Sequence, residues 1–60
     1  MRFIRLKEVM HCTALGKTTI YELMKQDKFP KQVSIGGRAV AWIESEVDDW
    51  IMKKIEERDK

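Results

Sequence analysis

Apolar residues recur at the spacing of one helix face in three stretches of the chain. This spacing predicts helices over about residues 6–12, 17–26 and 44–57. Their inward-facing residues are Leu6, Val9 and Met10, then Ile20, Leu23 and Met24, then Val47, Trp50, Ile51 and Ile55. The first two helices are joined by a turn of about four residues, and such a pair is typical of a helix-turn-helix.

The second predicted helix has recognisable ends. It opens at Gly16-Lys17-Thr18-Thr19, where Gly16 offers only its backbone as a cap. It ends before Asp27-Lys28-Phe29-Pro30, because the residue before a proline avoids the helical region and Pro30 has no amide hydrogen. The sequence therefore predicts an exposed start and a sharp stop.

After the second helix, the apolar period changes from helical to alternating. Val33 and Ile35 alternate with polar neighbours, and Val40 and Trp42 follow the pair Gly36-Gly37. Glycines accept the positive φ angles that two-residue hairpin turns require. A turn at Gly36-Gly37 places Val33 opposite Val40, with Ile35 and Trp42 on the same face.

The order helix, helix, hairpin, helix predicts a mainly α fold with a small β-hairpin, the winged helix-turn-helix. All 60 residues fit one such domain, with its wing over about residues 32–42. The predicted core draws apolar residues from every element: Leu6, Val9, Leu15, Ile20, Leu23, Phe29, Val33, Val40, Trp42, Val47, Trp50 and Ile51.

Composition and charge narrow the class of protein. A single cysteine excludes an intramolecular disulfide, and no apolar run approaches the roughly 20 residues of a membrane span. We therefore expect a cytoplasmic protein without membrane contact. Residues 1–38 hold eight basic and three acidic side chains, whereas residues 39–60 hold four basic and seven acidic ones. A polyanion would approach the first part and avoid the second.

The outer face of the second helix carries the predicted contacts with DNA. In a helix-turn-helix, the N-terminal residues of the second helix reach base edges in the major groove. Lysine and threonine can bond bases there, and the free amides at a helix start suit a phosphate. The predicted contact residues are Lys17, Thr18, Thr19, Tyr21, Glu22 and Lys25. The alternative is structural: the threonines support the helix start, and Tyr21 is a half-buried packing residue.

The predicted wing adds a second candidate contact. Gly36 and Gly37 let the hairpin approach another backbone closely, and Arg38 beside them suits a narrow minor groove. Lys28 and Lys31, at the base of the wing, are candidate phosphate contacts. The alternative for Arg38 is a solvated hairpin side chain.

No constellation in the sequence indicates catalysis. His11 and Cys12 are adjacent, and no second cysteine or histidine exists to complete a metal site. We expect Cys12 in the core and His11 on the surface. The acidic residues that open the third helix are explained by the helix dipole. The sequence therefore predicts no enzyme, no metal and no cofactor.

The residues that carry this argument resemble the AlpA family of phage-derived regulators. The resembling segments are Leu6-Lys7-Glu8-Val9, Leu15 to Met24, Phe29-Pro30-Lys31, Gly36 to Trp42, and Glu44 to Ile51. The Gly-Gly-Arg-Ala-Val…Trp segment is the most specific of them. The resemblance implies a MerR-like or excisionase-like winged helix, with its recognition helix at Lys17, Thr18, Thr19, Tyr21 and Lys25 and its wing at Gly36, Gly37 and Arg38. Two departures are Gly16, where the family often has serine, and Ala14, where it often has glycine.

The resemblance also implies a function. We expect a sequence-specific DNA-binding regulator of a prophage or genomic island, associated with the bacterial nucleoid. It would control integrase transcription, act as an excisionase that directs recombination, or do both. Double-stranded DNA is the expected partner, read in the major groove by the second helix and in the minor groove or at the backbone by the wing. Integrase and further copies of the chain on DNA are additional expected partners.

A second hypothesis comes from a different functional class. The winged helix could serve as a protein-interaction adaptor that holds an integrase or another partner. Apolar side chains outside the predicted core, at Phe3, Ile43 and Met52, would support that role.

Overall fold

Three helices and three strands make up the part of the chain that the structure, a computed structural model, describes: residues 2–58. In chain order they are β1 (Phe3–Ile4), α1 (Leu6–Thr13), α2 (Lys17–Lys25), β2 (Val33–Gly36), β3 (Ala39–Ile43) and α3 (Glu44–Arg58). The predicted order of helix, helix, hairpin and helix is confirmed, and the elements form a winged helix-turn-helix.

A short first strand extends the hairpin into a three-stranded antiparallel sheet. The strand order is β1-β3-β2, so β3 lies in the centre. Phe3 pairs with Ile43 and Ile4 with Trp42, which ties the start of the chain to the end of the wing. The sequence does not predict β1, because two residues are too few to show a period.

The predicted register of the hairpin is wrong. Val33 pairs with Ala41 rather than with Val40, and Gly36 pairs with Ala39 across a turn at Gly37-Arg38. The register shifts between Ser34 and Gly36. The extra residue in β2 leaves Ile35 exposed, so it does not share a buried face with Trp42.

The core lies where the helices meet the sheet. Its buried members come from every element except β2 and from the segment after α2: Ile4, Val9, Ile20, Met24, Phe29, Trp42 and Val47. All residues of the predicted core are buried or half-buried in the structure. Burying each large apolar side chain contributes about 1.5–3 kcal/mol relative to leaving it exposed.

Two predictions of burial are wrong. Ile55 is 40% exposed, and residues 52–58 are all exposed, because the C-terminal end of α3 extends beyond the core. Cys12 is also exposed. It lies near the end of α1 and lines an open groove with Ile51 and Ile55.

Candidate nucleic-acid interface

The start of α2 is capped by backbone alone. Gly16 is the N-cap residue in an extended conformation, with φ −78° and ψ 163°, and no side chain bonds to the first turn. The amide of Ile20 donates to the carbonyl of Gly16 at 3.1 Å, which begins the helical hydrogen bonding. The amides of Lys17 to Thr19 precede that bond and have no partner within the helix. Gly16, Lys17, Thr18 and Thr19 are all exposed, so this end can accept an anion.

The two faces of α2 have different environments. Ile20 and Met24 are buried and Leu23 is half-buried, so this stripe fixes the helix to the core. The side chains predicted to contact DNA are exposed: Lys17, Thr18, Thr19, Tyr21, Glu22 and Lys25. Packing therefore leaves the whole predicted contact face of α2 at the surface.

Tyr21 combines a packed ring with a polar tip at the surface. Its ring meets the Trp42 ring edge-on, with centroids 6.4 Å apart and an interplanar angle of 63°. Its hydroxyl donates to Oε1 of Gln32 at 3.4 Å, a long and weak hydrogen bond. The packing role suggested by the sequence is therefore present, and Gln32 is a neighbour that the sequence analysis missed. The residue is still 36% exposed.

The wing presents its turn to solvent. Gly36 and Gly37 have φ angles of 133° and 52°, values that a residue with a Cβ rarely adopts. Arg38 is exposed beside them and has no ion-pair partner among residues 2–58. A free guanidinium at the tip of a ribbon can enter a groove or bond a phosphate.

The C-terminal end of α2 closes in a Schellman turn. The amide of Lys28 donates to the carbonyl of Leu23 at 2.8 Å, and the amide of Asp27 donates to that of Met24 at 3.1 Å. Asp27 is in the left-handed conformation, with φ 60°. These bonds satisfy carbonyls that would otherwise be free at the helix end.

The segment that joins α2 to β2, residues 26–32, is named the connector here. Two tryptophans from other elements bond to its backbone. The indole N–H of Trp42 donates to the carbonyl of Pro30 at 3.1 Å, and that of Trp50 donates to the carbonyl of Lys28 at 2.7 Å. Phe29 packs edge-on against Trp50, with ring centroids 4.9 Å apart. The connector is therefore bound to both β3 and α3.

The two lysines predicted as phosphate contacts differ in their surroundings. The ammonium of Lys31 donates to the carbonyl of Met24 and forms an ion pair with Oδ1 of Asp27 at 2.9 Å. Lys28 has no ion-pair partner for its side chain among residues 2–58. Of these two lysines, therefore, only Lys31 has its ammonium bonded to other groups among residues 2–58.

A cluster of opposite charges joins Arg2, the residue before β1, to α1 and α3. The guanidinium of Arg2 forms an ion pair with Glu44 at 2.8 Å and another with Glu8. The hydrogen bond from Arg2 lowers the pKa of Glu44 and raises that of Arg2. The charge of Arg2, one of the eight basic residues in 1–38, is therefore neutralised within the protein.

Two other kinds of site are absent from the part of the chain that the structure describes. No three of its histidine, cysteine, aspartate or glutamate side chains are grouped so that they could hold a metal ion. None of its helices combines the length and apolar character needed to cross a membrane.

Comparison with known proteins identifies the family. The model of the family described as prophage CP4-57 regulatory protein (AlpA) matches residues 2–55. The chain belongs to the AlpA family. The match includes α1, α2, both strands of the wing and most of α3, so it covers the surface described above.

Two relatives of the chain show how far the AlpA likeness extends. An uncharacterised protein, ORF88 of Enterobacteria phage P4, is 52% identical over 54 residues. That match covers 90% of the chain but only 61% of the phage protein. The DNA-binding transcriptional activator AlpA of Escherichia coli K12 is 32% identical over 60 residues, which covers 90% of the chain and 86% of that protein.

The structure gives a physical meaning to one departure from the AlpA pattern. Ala14, where the family often carries glycine, follows α1 in the left-handed conformation with φ 61°. This conformation costs a residue with a Cβ about 1–2 kcal/mol. The turn of the helix-turn-helix therefore has the geometry that glycine would favour, although alanine occupies it.

Proposed function

We propose that this chain is a sequence-specific DNA-binding regulator of a prophage or genomic island. The observation that carries the proposal is the exposed start of α2, where Lys17, Thr18 and Thr19 stand beside free helix amides. A base edge accepts hydrogen bonds from such side chains, and a phosphate accepts them from the amides. In this proposal α2 reads the major groove.

The wing is the second contact in this proposal. Trp42 lies in β3, contacts Tyr21 of α2 and bonds the connector, so the wing and α2 share one anchor. Arg38 would enter the minor groove or bond the backbone, with Gly36 and Gly37 allowing close approach. Residues near the base of the wing would bond phosphates and so position the domain without specifying sequence. Among them, Lys28 has no ion-pair partner among residues 2–58.

One relative supports DNA as the partner and transcription as an output. The Escherichia coli relative is named a DNA-binding transcriptional activator, and the chain matches most of its length. The finer roles are control of an integrase gene and excisionase activity, in which the protein would direct recombination without catalysing strand exchange. Such roles would place the chain with the bacterial nucleoid in the cytoplasm, as a binding protein without enzymatic activity.

Fluorescence anisotropy with labelled duplexes tests the proposal. The probes are attachment-site and integrase-promoter DNA of the mobile element that carries the gene, compared with scrambled duplexes. We expect tighter binding to one natural site, and log affinity falling against log salt with a slope of about 0.9 per phosphate contacted. Equal affinity for all duplexes would exclude sequence-specific reading. An excision assay with integrase then separates the recombination role from transcription alone.

Exposed apolar side chains favour the adaptor as a second candidate. Phe3 is 50% exposed and Met52 is 56% exposed, whereas Ile43 is half-buried. Exposed apolar side chains can contribute to a surface that binds an integrase or another copy of the chain on DNA. In pull-down with purified integrase, an adaptor would keep its affinity when Lys17 is replaced by alanine. A protein that acts only through DNA would show no integrase binding in the absence of DNA.

A further inference from the structure

We propose that Lys31 is a positioning residue of the DNA-reading unit and not a phosphate contact. It would fix the last turn of α2 to the entrance of the wing, and so set the orientation of the recognition helix relative to the wing. This inference rests on the DNA-binding function proposed above, and it assigns different roles to two lysines of the same connector.

The contacts of Lys31 cross from the wing entrance back to the helix. Its backbone lies two residues before β2 begins at Val33, while its ammonium donates to the carbonyl of Met24 in the last turn of α2. The same ammonium is 2.9 Å from a carboxylate oxygen of Asp27. The side chain of Lys31 therefore links the C-terminal end of the connector to the last turn of α2.

This position suits a cation for electrostatic reasons. The C-terminal end of a helix carries a partial negative charge, and a lysine there is stabilising. Asp27 adds a full negative charge at the same point, and a hydrogen bond between charged groups is stronger than a neutral one. These partners occupy two of the three N–H donors of the ammonium, so a phosphate could bind only the third donor, next to the negatively charged carboxylate of Asp27.

The remaining bonds of the connector show why its geometry matters. Trp42 bonds the carbonyl of Pro30 and Trp50 bonds that of Lys28, so β3 and α3 hold its middle. Lys31 supplies the matching bond at the helix end. These three bonds join the end of α2, the connector, β3 and α3. Loss of the Lys31 side chain would remove the bond between the last turn of α2 and the wing entrance.

Lys28 provides the matched control for Lys31. It has the same charge, lies three residues away and has no ion-pair partner among the described residues. The experiment measures anisotropy of the natural and scrambled duplexes for the full chain and for the variants Lys31→Ala, Lys31→Arg and Lys28→Ala. All measurements are made at a temperature at which circular dichroism shows every variant to be folded.

The expected results separate position from charge. Lys31→Ala should lower the ratio of specific to non-specific affinity about fivefold to tenfold, the effect of one lost charge-assisted hydrogen bond, with little change in salt slope. Lys31→Arg should restore most of that ratio. Lys28→Ala should weaken both duplexes alike and reduce the salt slope by about 0.9. A Lys31→Ala variant that behaves like Lys28→Ala, or like the unaltered chain, would overturn the proposal.

Asp27→Asn should change DNA affinity differently for the two possible roles of Lys31, positioning and phosphate binding. Asparagine tolerates the left-handed conformation, so the Schellman turn can remain while the ion pair is lost. If Lys31 positions the helix, the affinity ratio should fall. If Lys31 binds phosphate, its release should strengthen binding to both duplexes and leave the ratio unchanged.

A measurement without DNA distinguishes failure of this inference from failure of the proposed function. Amide hydrogen exchange reports on the Schellman bonds of Asp27 and Lys28 in the free protein. We expect exchange at these amides to accelerate about tenfold in Lys31→Ala and to stay unchanged in Lys28→Ala. Unchanged exchange in Lys31→Ala would contradict the proposed bond even if the chain reads DNA. If the unaltered chain does not discriminate between duplexes, the sequence-specific function fails, and the positioning role that rests on it fails as well.

Discussion

Two residues with positive φ flank α2, and their surroundings differ. Ala14 precedes α2 with φ 61°, and Asp27 follows it with φ 60°. Both carry a Cβ, which the left-handed conformation disfavours. The Asp27 carboxylate pairs with Lys31, whereas the methyl group of Ala14 can form no hydrogen bond or ion pair. The ion pair of Asp27 therefore offsets part of the cost of its left-handed backbone at the C-terminal end of α2 (the exit). No side-chain bond offsets the same cost at Ala14, before the N-terminal end (the entry).

The same contrast holds for hydrogen bonding at the two helix ends. At the exit, the amides of Asp27 and Lys28 and the ammonium of Lys31 bond to the last carbonyls. At the entry, Gly16 offers no side chain, and the first amides are left to solvent or to a ligand. Free amides are what a phosphate or a base edge needs, so the proposed binding end is also the less stabilised end.

The largest expected effect on stability comes from replacing Trp42, whose indole bonds the connector that follows α2. Trp42→Ala should lower the free energy of unfolding by about 3–5 kcal/mol, because it leaves a cavity in the core and removes the bond to Pro30. A domain of this size has little stability to spare. Thermal unfolding by circular dichroism should show a largely unfolded chain at room temperature.

Trp50→Phe is the milder companion to that variant. It keeps an aromatic ring against Phe29 but loses the indole donor to Lys28 and part of the ring surface, so we expect a loss of about 1 kcal/mol. Equal stability of Trp42→Ala and the unaltered chain would contradict the assignment of Trp42 to the core.

At the entry, a substitution should change binding without changing stability. Lys17→Ala should weaken specific DNA affinity about tenfold to a hundredfold, since one good base contact contributes about 1–3 kcal/mol of discrimination. Its unfolding temperature should stay close to that of the unaltered chain, because Lys17 is exposed. Anisotropy titration measures the first quantity and circular dichroism the second.

Lys53→Ala, which removes the same charge from α3, is the matched control for Lys17→Ala. Its effect on specific affinity should be small. If both variants lost affinity equally, general charge rather than groove reading by α2 would explain the binding.

Much of the fold follows from apolar spacing that is local in the chain. The stripe of Ile20, Leu23 and Met24 predicts both the helix and its exposed face, because a helix with one apolar face has only one way to pack. The identity of the residues that touch DNA stays a prediction, because side-chain exposure shows availability and not contact.

The parts that could not be predicted depend either on pairing between distant residues or on local turns whose position the residue types do not reveal. Strand β1 exists because Phe3 and Ile4 pair with β3, some 40 residues later. The hairpin register depended on whether Gly36 belongs to the turn or to the strand. The sequence attributes the end of α2 to the segment Asp27-Lys28-Phe29-Pro30 through its proline, whereas in the structure a Schellman turn at Asp27 ends the helix, and that turn has no glycine to reveal it.

Ala14→Gly tests the strain at the entry of α2. Glycine adopts φ 61° freely, and the added chain entropy of the unfolded state offsets part of the gain. We expect a net stabilisation of about 0.5–1 kcal/mol, seen as a rise of about 2–8 °C in unfolding temperature.

Asp27→Gly is the matched comparison at the exit. It relieves the same backbone conformation but removes the ion pair with Lys31, so we expect little or no gain. If Asp27→Gly stabilised the chain as much as Ala14→Gly, the ion pair between Asp27 and Lys31 would not offset the cost of the left-handed backbone at Asp27.

The smallest expected effect concerns the charge cluster that ties β1 to α3. The pKa of Glu44 is lowered by its hydrogen bond with Arg2, so the folded chain holds this carboxylate ionised more readily than the unfolded chain does. Its contribution to stability is therefore present above the ordinary pKa of about 4.5 and is lost as the pH falls through the lowered value. The difference in unfolding temperature between the unaltered chain and Glu44→Gln should be small and positive near neutral pH and should vanish in acid.

The control is Glu22→Gln, which changes an exposed glutamate with no ion-pair partner among residues 2–58 and should show no such trend. A difference for Glu44→Gln that stays constant across the acid range would mean that the bond to Arg2 does not stabilise the fold.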